Sequence, residues 1–355
     1  MDRVLVAMSG GVDSSVALLK VIEMGYEAVG VTMKLWEYKD VGGNTQSDSN
    51  CCSIDSINAA KIVCDQLGVR HYTLDFTDTF KEKVVDDFAD EYLKGRTPNP
   101  CVKCNSHLKW DTFISQAKKL NARYIATGHY AQIKNNRICK GIDPAKDQSY
   151  VLWGIPKETI DMTLFPLGGL TKQEVRDIAS AHELITANTP ESMDICFVAD
   201  NNYKRFLSSY RKEQFESIGT GDLLNESGDT IGKHQGYHSF TVGQRKGIGL
   251  SNPNPLYVKK IDADKNSVVV SEKKSLLSST CYTKNINWLI STPQTPLSVD
   301  AQIRYNSKAA RADITRLDEG YKIVFHDPQL AITPGQSLAL YDGDSLIGGG
   351  IIETN

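Results

Sequence analysis

No apolar run in the 355 residues approaches the roughly 18 to 20 that a membrane-spanning helix needs, so no such helix is predicted. Cysteine is scarce. Eight residues over this length cannot make a disulfide scaffold, and cysteines standing in pairs point to metal or catalysis instead. Positive charge is not in excess either: 40 Lys and Arg face 43 Asp and Glu, a net charge of −3. Attraction to nucleic acid through the global field is excluded, and an RNA partner must be held by local patches. The opening Met1-Asp2-Arg3 runs straight into Val4-Leu5-Val6-Ala7, the pattern of neither a signal peptide nor an Arg-rich transit peptide. A soluble, cytoplasmic protein is expected. There is no internal repeat and no low-complexity tract. What is present, 40% apolar and 23% charged residues, suffices for packed cores and excludes wholesale disorder. At roughly 150 residues per domain the length predicts two to three domains.

The first half alternates strand-like and helix-like segments. Val4 to Met8, Tyr26 to Leu35, His71 to Phe76 and Tyr124 to Thr127 read as strands. Ser14 to Met24, Ile54 to Leu67 (stopped by Gly68), Phe80 to Leu93 and Leu108 to Leu120 read as helices. This alternation predicts an α/β domain with a doubly wound parallel sheet over residues 1–205. After about residue 205 short alternating runs are separated by Gly, Pro, Asn and Asp. The texture is all-β and predicts two small β-rich domains, 206–275 and 276–355, the last a β-barrel.

Between the first strand and the first helix lies Ser9-Gly10-Gly11-Val12-Asp13-Ser14-Ser15. Paired glycines let the backbone approach an anion, and a helix N-terminus aims amide donors at it. Ser9, Ser14 and Ser15 add hydroxyls, and Asp13 suits either capping the helix or holding Mg²⁺. The loop contains no lysine, so it is not a Walker A loop, and G-x-G-x-x-G is absent too. The alternative is a Gly-rich turn before a capped helix. The motif S-G-G-x-D-S resembles the PP-loop of ATP pyrophosphatases, which cleave ATP between the α and β phosphates.

Cys101 and Cys104 form a C-x-x-C within Arg96-Thr97-Pro98-Asn99-Pro100-Cys101-Val102-Lys103-Cys104-Asn105. The two prolines predict a loop held extended and out of the flanking helices. Cys104 then lies just before a helix, near Lys103 and Lys109, where a helix N-terminus and cations lower a thiol pKa. Cys196, in Ser192-Met193-Asp194-Ile195-Cys196-Phe197, can join Cys104 only through the fold. Cys51, Cys52, Cys64, Cys139 and Cys281 read as ordinary buried residues. For Cys104 and Cys196 burial and chemistry stand level. A cluster on Cys101, Cys104 and Cys196, three thiolates leaving one iron open, is a further functional possibility.

Six motifs occur in order: the PP-loop, Thr97 to Asn105, Thr127-Gly128-His129-Tyr130, Lys146-Asp147-Gln148-Ser149-Tyr150, Met193 to Phe197, and Thr333-Pro334-Gly335-Gln336-Ser337. Together they resemble the tRNA-specific 2-thiouridylases (MnmA type) over nearly the whole chain. The resemblance implies ATP- and Mg²⁺-dependent adenylation of the C2 oxygen of the tRNA wobble uridine (U34). Sulfur then displaces AMP and leaves 2-thiouridine. It implies that Cys196 carries a persulfide and that Cys104 is the partner thiol, with a Cys104–Cys196 disulfide on one route. It implies ATP contacts at Ala7, Met8, Ser9, Gly10, Gly11, Val12, Asp13, Ser14, Met33 and Gly128. Asn99, Pro100 and Cys101 match the segment that meets the target base. His129, Lys146, Asp147, Gln148, Arg304, Tyr305 and Gln336 match tRNA-contacting positions. The sulfur donor it implies is a cysteine desulfurase or a sulfur-relay protein. The match departs at Cys101, where some members carry Asp. A thiol does not replace an acid–base carboxylate, and it makes the cluster chemically easier.

Charge agrees with an RNA partner. Lys94 to Arg123 holds seven basic residues against Asp111, and Asn202 to Lys260 holds nine basic against five acidic. Trp110, Tyr130, Tyr237 and Tyr305 stand near these stretches as stacking candidates. Lys118-Lys119 reads as a solvated helix face, Lys103 as functional. Gly243-Gln244-Arg245-Lys246-Gly247-Ile248-Gly249 reads as a flexible basic loop that touches tRNA. His71, His182 and His326 read as structural, and a metal pair at His234 and His238 is disfavoured. Three rivals remain: another adenylating PP-loop enzyme acting on a small molecule, a non-catalytic RNA-binding protein switched by nucleotide, and a cluster-carrying sulfur-transfer protein.

Overall fold

The structure, a computed structural model, describes residues 1–36, 54–190, 195–198 and 200–354. The readings for Cys51, Cys52, Met193 and Asp194 fall outside these residues. Strands β1 (Arg3–Ala7), β2 (Glu27–Lys34), β3 (His71–Asp75) and β4 (Tyr124–Ala126) are parallel. Val4, Leu5 and Val6 of β1 are completely buried because helices cover both faces of the sheet. Alternate residues split between the two cores. Val4 and Val6 pack under α1 (Val12–Glu23) and α2 (Ile54–Gln66), while Leu5 and Ala7 join the larger core on the other face.

That larger core is built on two long helices. α3 runs over residues 77–93 as Thr77–Phe80, Lys81–Val85 and Asp86–Leu93, its middle segment π-helical. α4 runs over 100–119 as Pro100–Lys103, Cys104–Thr112 and Phe113–Lys119, again with a π-helical middle. Here the structure corrects the expected extended loop around Cys101. Only Thr97 and Pro98 are extended; Pro100 opens the helix at its first position, where a missing N–H costs nothing. Cys104 therefore lies inside a helix, not ahead of one.

The hairpin β5 (Ala131–Lys134) and β6 (Arg137–Lys140) follows β4, and β7 (Thr163–Leu164) completes the parallel sheet in the order β3-β2-β1-β4-β7. α5 (Lys172–Ala181) starts with a capping box between Thr171 and Glu174 and packs on α1 through Val175 and Ala179.

The expected all-β texture after residue 205 misses two helices, α6 (Tyr203–Tyr210) and α7 (Lys212–Ile218). Asn202 caps the first, and Phe206, Leu207 and Phe215 are buried in the larger core, where the Phe206 ring lies edge-on to Phe88. Strands β8 (Gly221–Leu224), β9 (Thr230–His234), β10 (Tyr257–Asp262) and β11 (Ser267–Ser271) form one small sheet. Strands β12 (Leu277–Thr283), β13 (Asn287–Trp288), β14 (Leu297–Gln302), β15 (Ala310–Arg316), β16 (Tyr321–Leu330), β17 (Ser337–Asp342) and β18 (Ser345–Ile351) form an antiparallel sheet around Val299, Ile314, Ile323, Phe325 and Leu338. The β5–β6 hairpin joins that same sheet, Cys139 opposite Ser345. Ala339, Tyr341 and Leu346 share a core with Leu152 and Trp153. The last β unit is thus welded to the α/β unit.

Candidate active site

A cavity of about 600 Å³ opens at the carboxyl ends of β1 and β4, where the strand order turns. That is where open α/β sheets bind their ligands. Its floor is the loop between β1 and α1: Ala7, Met8, Ser9, Gly10, Gly11, Val12, Asp13 and Ser14 all line it, with Met33 and Gly128. Gly10 has φ +76°, and a Cβ there would stand 2.3 Å from the Ser56 carbonyl oxygen. Only glycine fits, so the loop can lie tight against the end of α2. Gly11 precedes α1 and no side chain caps the helix, leaving its first amides open to the cavity. The Ser14 and Ser15 hydroxyls both donate to the Gly11 carbonyl, at 2.9 and 3.0 Å, and the Ser9 amide donates to Ser14 Oγ.

Asp13 does not cap the helix. Lys172 Nζ lies 2.7 and 2.9 Å from its two carboxylate oxygens, and Tyr130 Oη donates to one of them at 2.7 Å. Lys172 is the first residue of α5, and its side chain is almost buried. Sequence reasoning missed Lys172. The Thr171-x-x-Glu174 box signals a helix start, but nothing local says that it meets Asp13, 159 positions away. Three lysines line the cavity, Lys109, Lys146 and Lys172, while Asp13 is the one carboxylate among its described lining residues.

The two cysteines singled out, Cys104 and Cys196, line this same cavity. Both are half-buried and pack against the larger core. Asn99 caps α4 by accepting the Cys101 amide at 3.2 Å, and Cys104 follows one turn later. Cys101 is exposed and is not among the lining residues. Among the described residues no three His, Cys, Asp or Glu side chains stand together as a metal site. The donor set Cys101, Cys104 and Cys196 therefore does not fit a cluster. Cys64, Cys139 and Cys281 are buried as expected, and burial pushes the Cys64 and Cys281 thiols up to about 12.

His129, Lys146, Gln148 and Tyr305 also line the cavity. His129 is buried; its Nδ1 pairs with Thr127 Oγ1 at 2.7 Å, and its ring lies 5.6 Å from Trp110. Complete burial, reinforced by Lys109, holds its pKa well below the usual range and the ring stays neutral. Gln148 accepts the Tyr130 amide at 3.0 Å.

Four expected site residues are engaged elsewhere. Asp147 accepts from the amides of Gly141 and Ser149 and from the Ser149 hydroxyl. Arg304 donates to the carbonyls of Leu330 and Ala331. The Gln336 amide donates to the carbonyls of Thr97 and Pro98 at 2.9 and 3.2 Å. Pro100 is buried at the start of α4.

Much of the expected basic patch is neutralised by acids from distant segments, which a window sum cannot see. Lys94 and Arg96 pair with Glu91, Arg96 also with Glu353, Lys103 with Asp87 and Arg123 with Asp2. Of the four stacking candidates, Trp110, Tyr130 and Tyr237 are core residues; Tyr305 is exposed. Arg245 and Lys246 are exposed on their loop, and Lys118 and Lys119 face solvent. His234 and His238 are buried against Phe240 and Phe215.

Residues 2–200 match a family model described as a tRNA methyl transferase HUP domain. Residues 204–272 match a tRNA methyl transferase PRC-barrel domain, and 278–352 an aminomethyltransferase beta-barrel domain. A tRNA-specific 2-thiouridylase MnmA from Geotalea uraniireducens is 43% identical over 358 residues, 99% of this chain and 95% of the relative. Its counterpart from Carboxydothermus hydrogenoformans is 44% identical over 361 residues, 99% of this chain and 97% of the relative. The chain belongs to the tRNA-specific 2-thiouridylase family. Among solved structures, a 4-thiouridine synthetase–RNA complex with bound ATP is 15% identical with a TM-score of 0.37, covering 60% of this chain and 51% of that one. In this 2-thiouridylase family member, then, a cavity with an uncapped helix end also holds two cysteines from distant parts of the chain.

Proposed function

We propose that the protein is a tRNA uridine 2-sulfurtransferase that uses ATP to thiolate the wobble uridine, U34. The observation that carries the reading is the meeting of the Ser9–Ser14 loop with Cys104 and Cys196 around one cavity. A methyl transfer needs no pair of thiols beside an anion-binding helix end. Adenylation followed by sulfur transfer needs both.

In this reading the α1 amides and the hydroxyls of Ser9 and Ser14 bind the phosphates of ATP, with Ala7, Met33 and Gly128 around the nucleoside. Lys172, Lys109 and Lys146 offset the charge that builds on pyrophosphate. Mg²⁺ takes few protein ligands besides substrate phosphates; Asp13 is the carboxylate placed to hold it, and the ion would supply further charge neutralisation. The C2 oxygen of the uridine attacks the α-phosphorus and pyrophosphate leaves. Adenylation makes that oxygen a good leaving group.

Sulfur then arrives as a persulfide on Cys196. Cys104 thiolate attacks the Cys196 sulfur, the S–S bond of the persulfide breaks, and a Cys104–Cys196 disulfide forms. The hydrosulfide released attacks C2 and AMP departs. Alternatively the terminal sulfur attacks C2 directly and Cys104 completes the same disulfide. A thiol reductant must reset the pair after either route. Neutral His129 and exposed Tyr305 are suited to receive a base turned out of its stack, with Asn99, Pro100 and Cys101 beside it. Arg304, Asp147 and Gln148 shape the surrounding tRNA surface. The persulfide comes from a donor protein, a desulfurase or relay carrier. The α/β unit to about residue 205 carries the chemistry, and the β units from there to 275 and beyond embrace the tRNA in the cytoplasm.

The test is the RNA dependence of pyrophosphate release. ATP cleavage that requires a tRNA with U at the wobble position, and that fails with C there, is expected. Cleavage indifferent to RNA would assign the site to another acceptor.

A further inference from the structure

Gln336 lies 239 positions from Thr97, yet the turn that carries it is built around the segment leading into the cysteine helix. Gln336 Nε2 donates to the carbonyls of both Thr97 and Pro98. The Thr97 amide in turn donates to the Pro334 carbonyl at 2.9 Å. Between them stands Gly335, φ +89°, where a Cβ would come within 2.9 Å of the Thr97 backbone. The turn is itself pinned to the end of the last sheet, Gly335 amide to Ile352 carbonyl and Ile352 amide to Gln336 carbonyl, at 2.8 and 2.9 Å. One residue earlier, Arg96 bridges Glu91 of α3 at 2.7 Å and Glu353 at 2.6 Å, all three side chains more than four-fifths buried. The central β unit adds Thr241 Oγ1, 3.4 Å from Thr97 Oγ1, and Tyr237 Oη, which donates to the Leu93 carbonyl.

The held segment ends at Asn99, which caps α4, and Cys104 follows one turn further on. Extended backbone carbonyls ahead of a helix are otherwise satisfied by water and leave the helix free to shift along its axis. Here they are taken by a side chain from the other end of the chain. We infer that Gln336 is a positioning residue for sulfur transfer. Through Thr97 and Pro98 it fixes the start of α4, so that Cys104 is presented to the cavity in one place. It is not an RNA contact. This rests on the thiolation reading above and deepens it. The sulfur step depends on the distance between two sulfurs, and a displacement of about 1 Å in such a step is worth about a hundredfold. Adenylation, set on the α1 end of the cavity, does not depend on it.

The experiment compares wild type with Gln336→Ala and with Gln336→Glu, which keeps the shape and loses both donors. Three quantities are measured on purified full-length protein: thiolation kcat and KM for a tRNA transcript, RNA-dependent pyrophosphate release, and the dissociation constant for tRNA. Both variants should lose at least about tenfold in thiolation kcat. Pyrophosphate release and tRNA affinity should stay within twofold. A rise in the tRNA dissociation constant beyond twofold, or unchanged kcat, overturns the inference. The rate at which iodoacetamide labels Cys104, followed by peptide mass spectrometry, supplies a readout that needs no thiolation. It should change at least threefold in both variants while Cys64 stays protected; an unchanged Cys104 rate overturns the positioning role. Absence of 2-thiouridine with wild type would instead strike at the proposed function and leave the labelling result standing.

Discussion

Helices α1 and α4 both deliver residues to the one cavity, and their N-termini are treated in opposite ways. At α1 the preceding residue is Gly11, no side chain caps the helix, and the backbone amides remain available. At α4 Asn99 takes an amide, Pro100 has none to offer, and the segment before it is tied down by Gln336 and Arg96. An open helix end is an anion site. A capped and clasped one has spent its donors and instead holds a side chain, Cys104, in place. The difference explains how one cavity serves two consecutive steps, with phosphate chemistry at the backbone of α1 and sulfur chemistry at a side chain of α4.

The largest effect expected of this division is on the sulfur side. Cys104→Ser and Cys196→Ser should each leave no detectable 2-thiouridine in digested tRNA, with ATP binding unchanged within about twofold. Loss of ATP binding in either would show that the two ends are not separable. On the phosphate side, Lys172→Ala removes a cation from the cavity and strands Asp13. RNA-dependent pyrophosphate release should fall about a hundredfold, with Lys172→Arg recovering part of it. Gly10→Ala places a methyl against the Ser56 carbonyl at a positive φ. It should weaken nucleotide binding about ten- to a hundredfold by calorimetry, leaving Cys104 labelling as in wild type.

Smaller effects sharpen the comparison. Asn99→Ala deletes a cap that α1 never had, a cost of about 1 kcal/mol. Amides in the first turns of α4 should exchange with deuterium about fivefold faster while those of α1 do not change. Acid should weaken both ends slightly. Burial lowers the pKa of His129 beneath α1 and of His107 on α4, as it does for His71, His234 and His238. The unfolded chain protonates its histidines near about 6.5, above each folded value, so it binds more protons in acid. Stability is full above that pH and falls as the pH drops through it. A melting temperature that declines from pH 7.5 to 5.5, less steeply in His129→Gln, is expected.

The α1 side of this comparison was legible in the sequence and the α4 side only in part. The Ser9–Ser14 loop is local: strand, glycines and helix follow one another within a dozen residues, and every residue assigned to it lines the cavity. The parallel sheet was legible for the same reason, since each strand is a short buried run next to its own helix. Long-range pairings were not. Lys172 on Asp13, Gln336 on Thr97, and Glu353 on Arg96 join segments 159, 239 and 257 positions apart. The acids that neutralise Lys94 to Arg123 escaped a count confined to that stretch. The Cys101 loop was misread because two prolines suggest extension, whereas Pro100 after Asn99 is a helix start. Helices α6 and α7 were hidden by neighbouring β-like sequence, their apolar residues committed to the core of another unit.

The most direct test of the account is thiolation of an unmodified tRNA transcript with U at the first anticodon position, supplied with ATP, Mg²⁺ and a persulfide donor. Digested RNA is read by mass spectrometry, with Cys104→Ser alongside. The account predicts 2-thiouridine at position 34 with wild type only, and equal RNA-dependent pyrophosphate release in both. Thiouridine formed by Cys104→Ser, or none with wild type while pyrophosphate is still released, would contradict it.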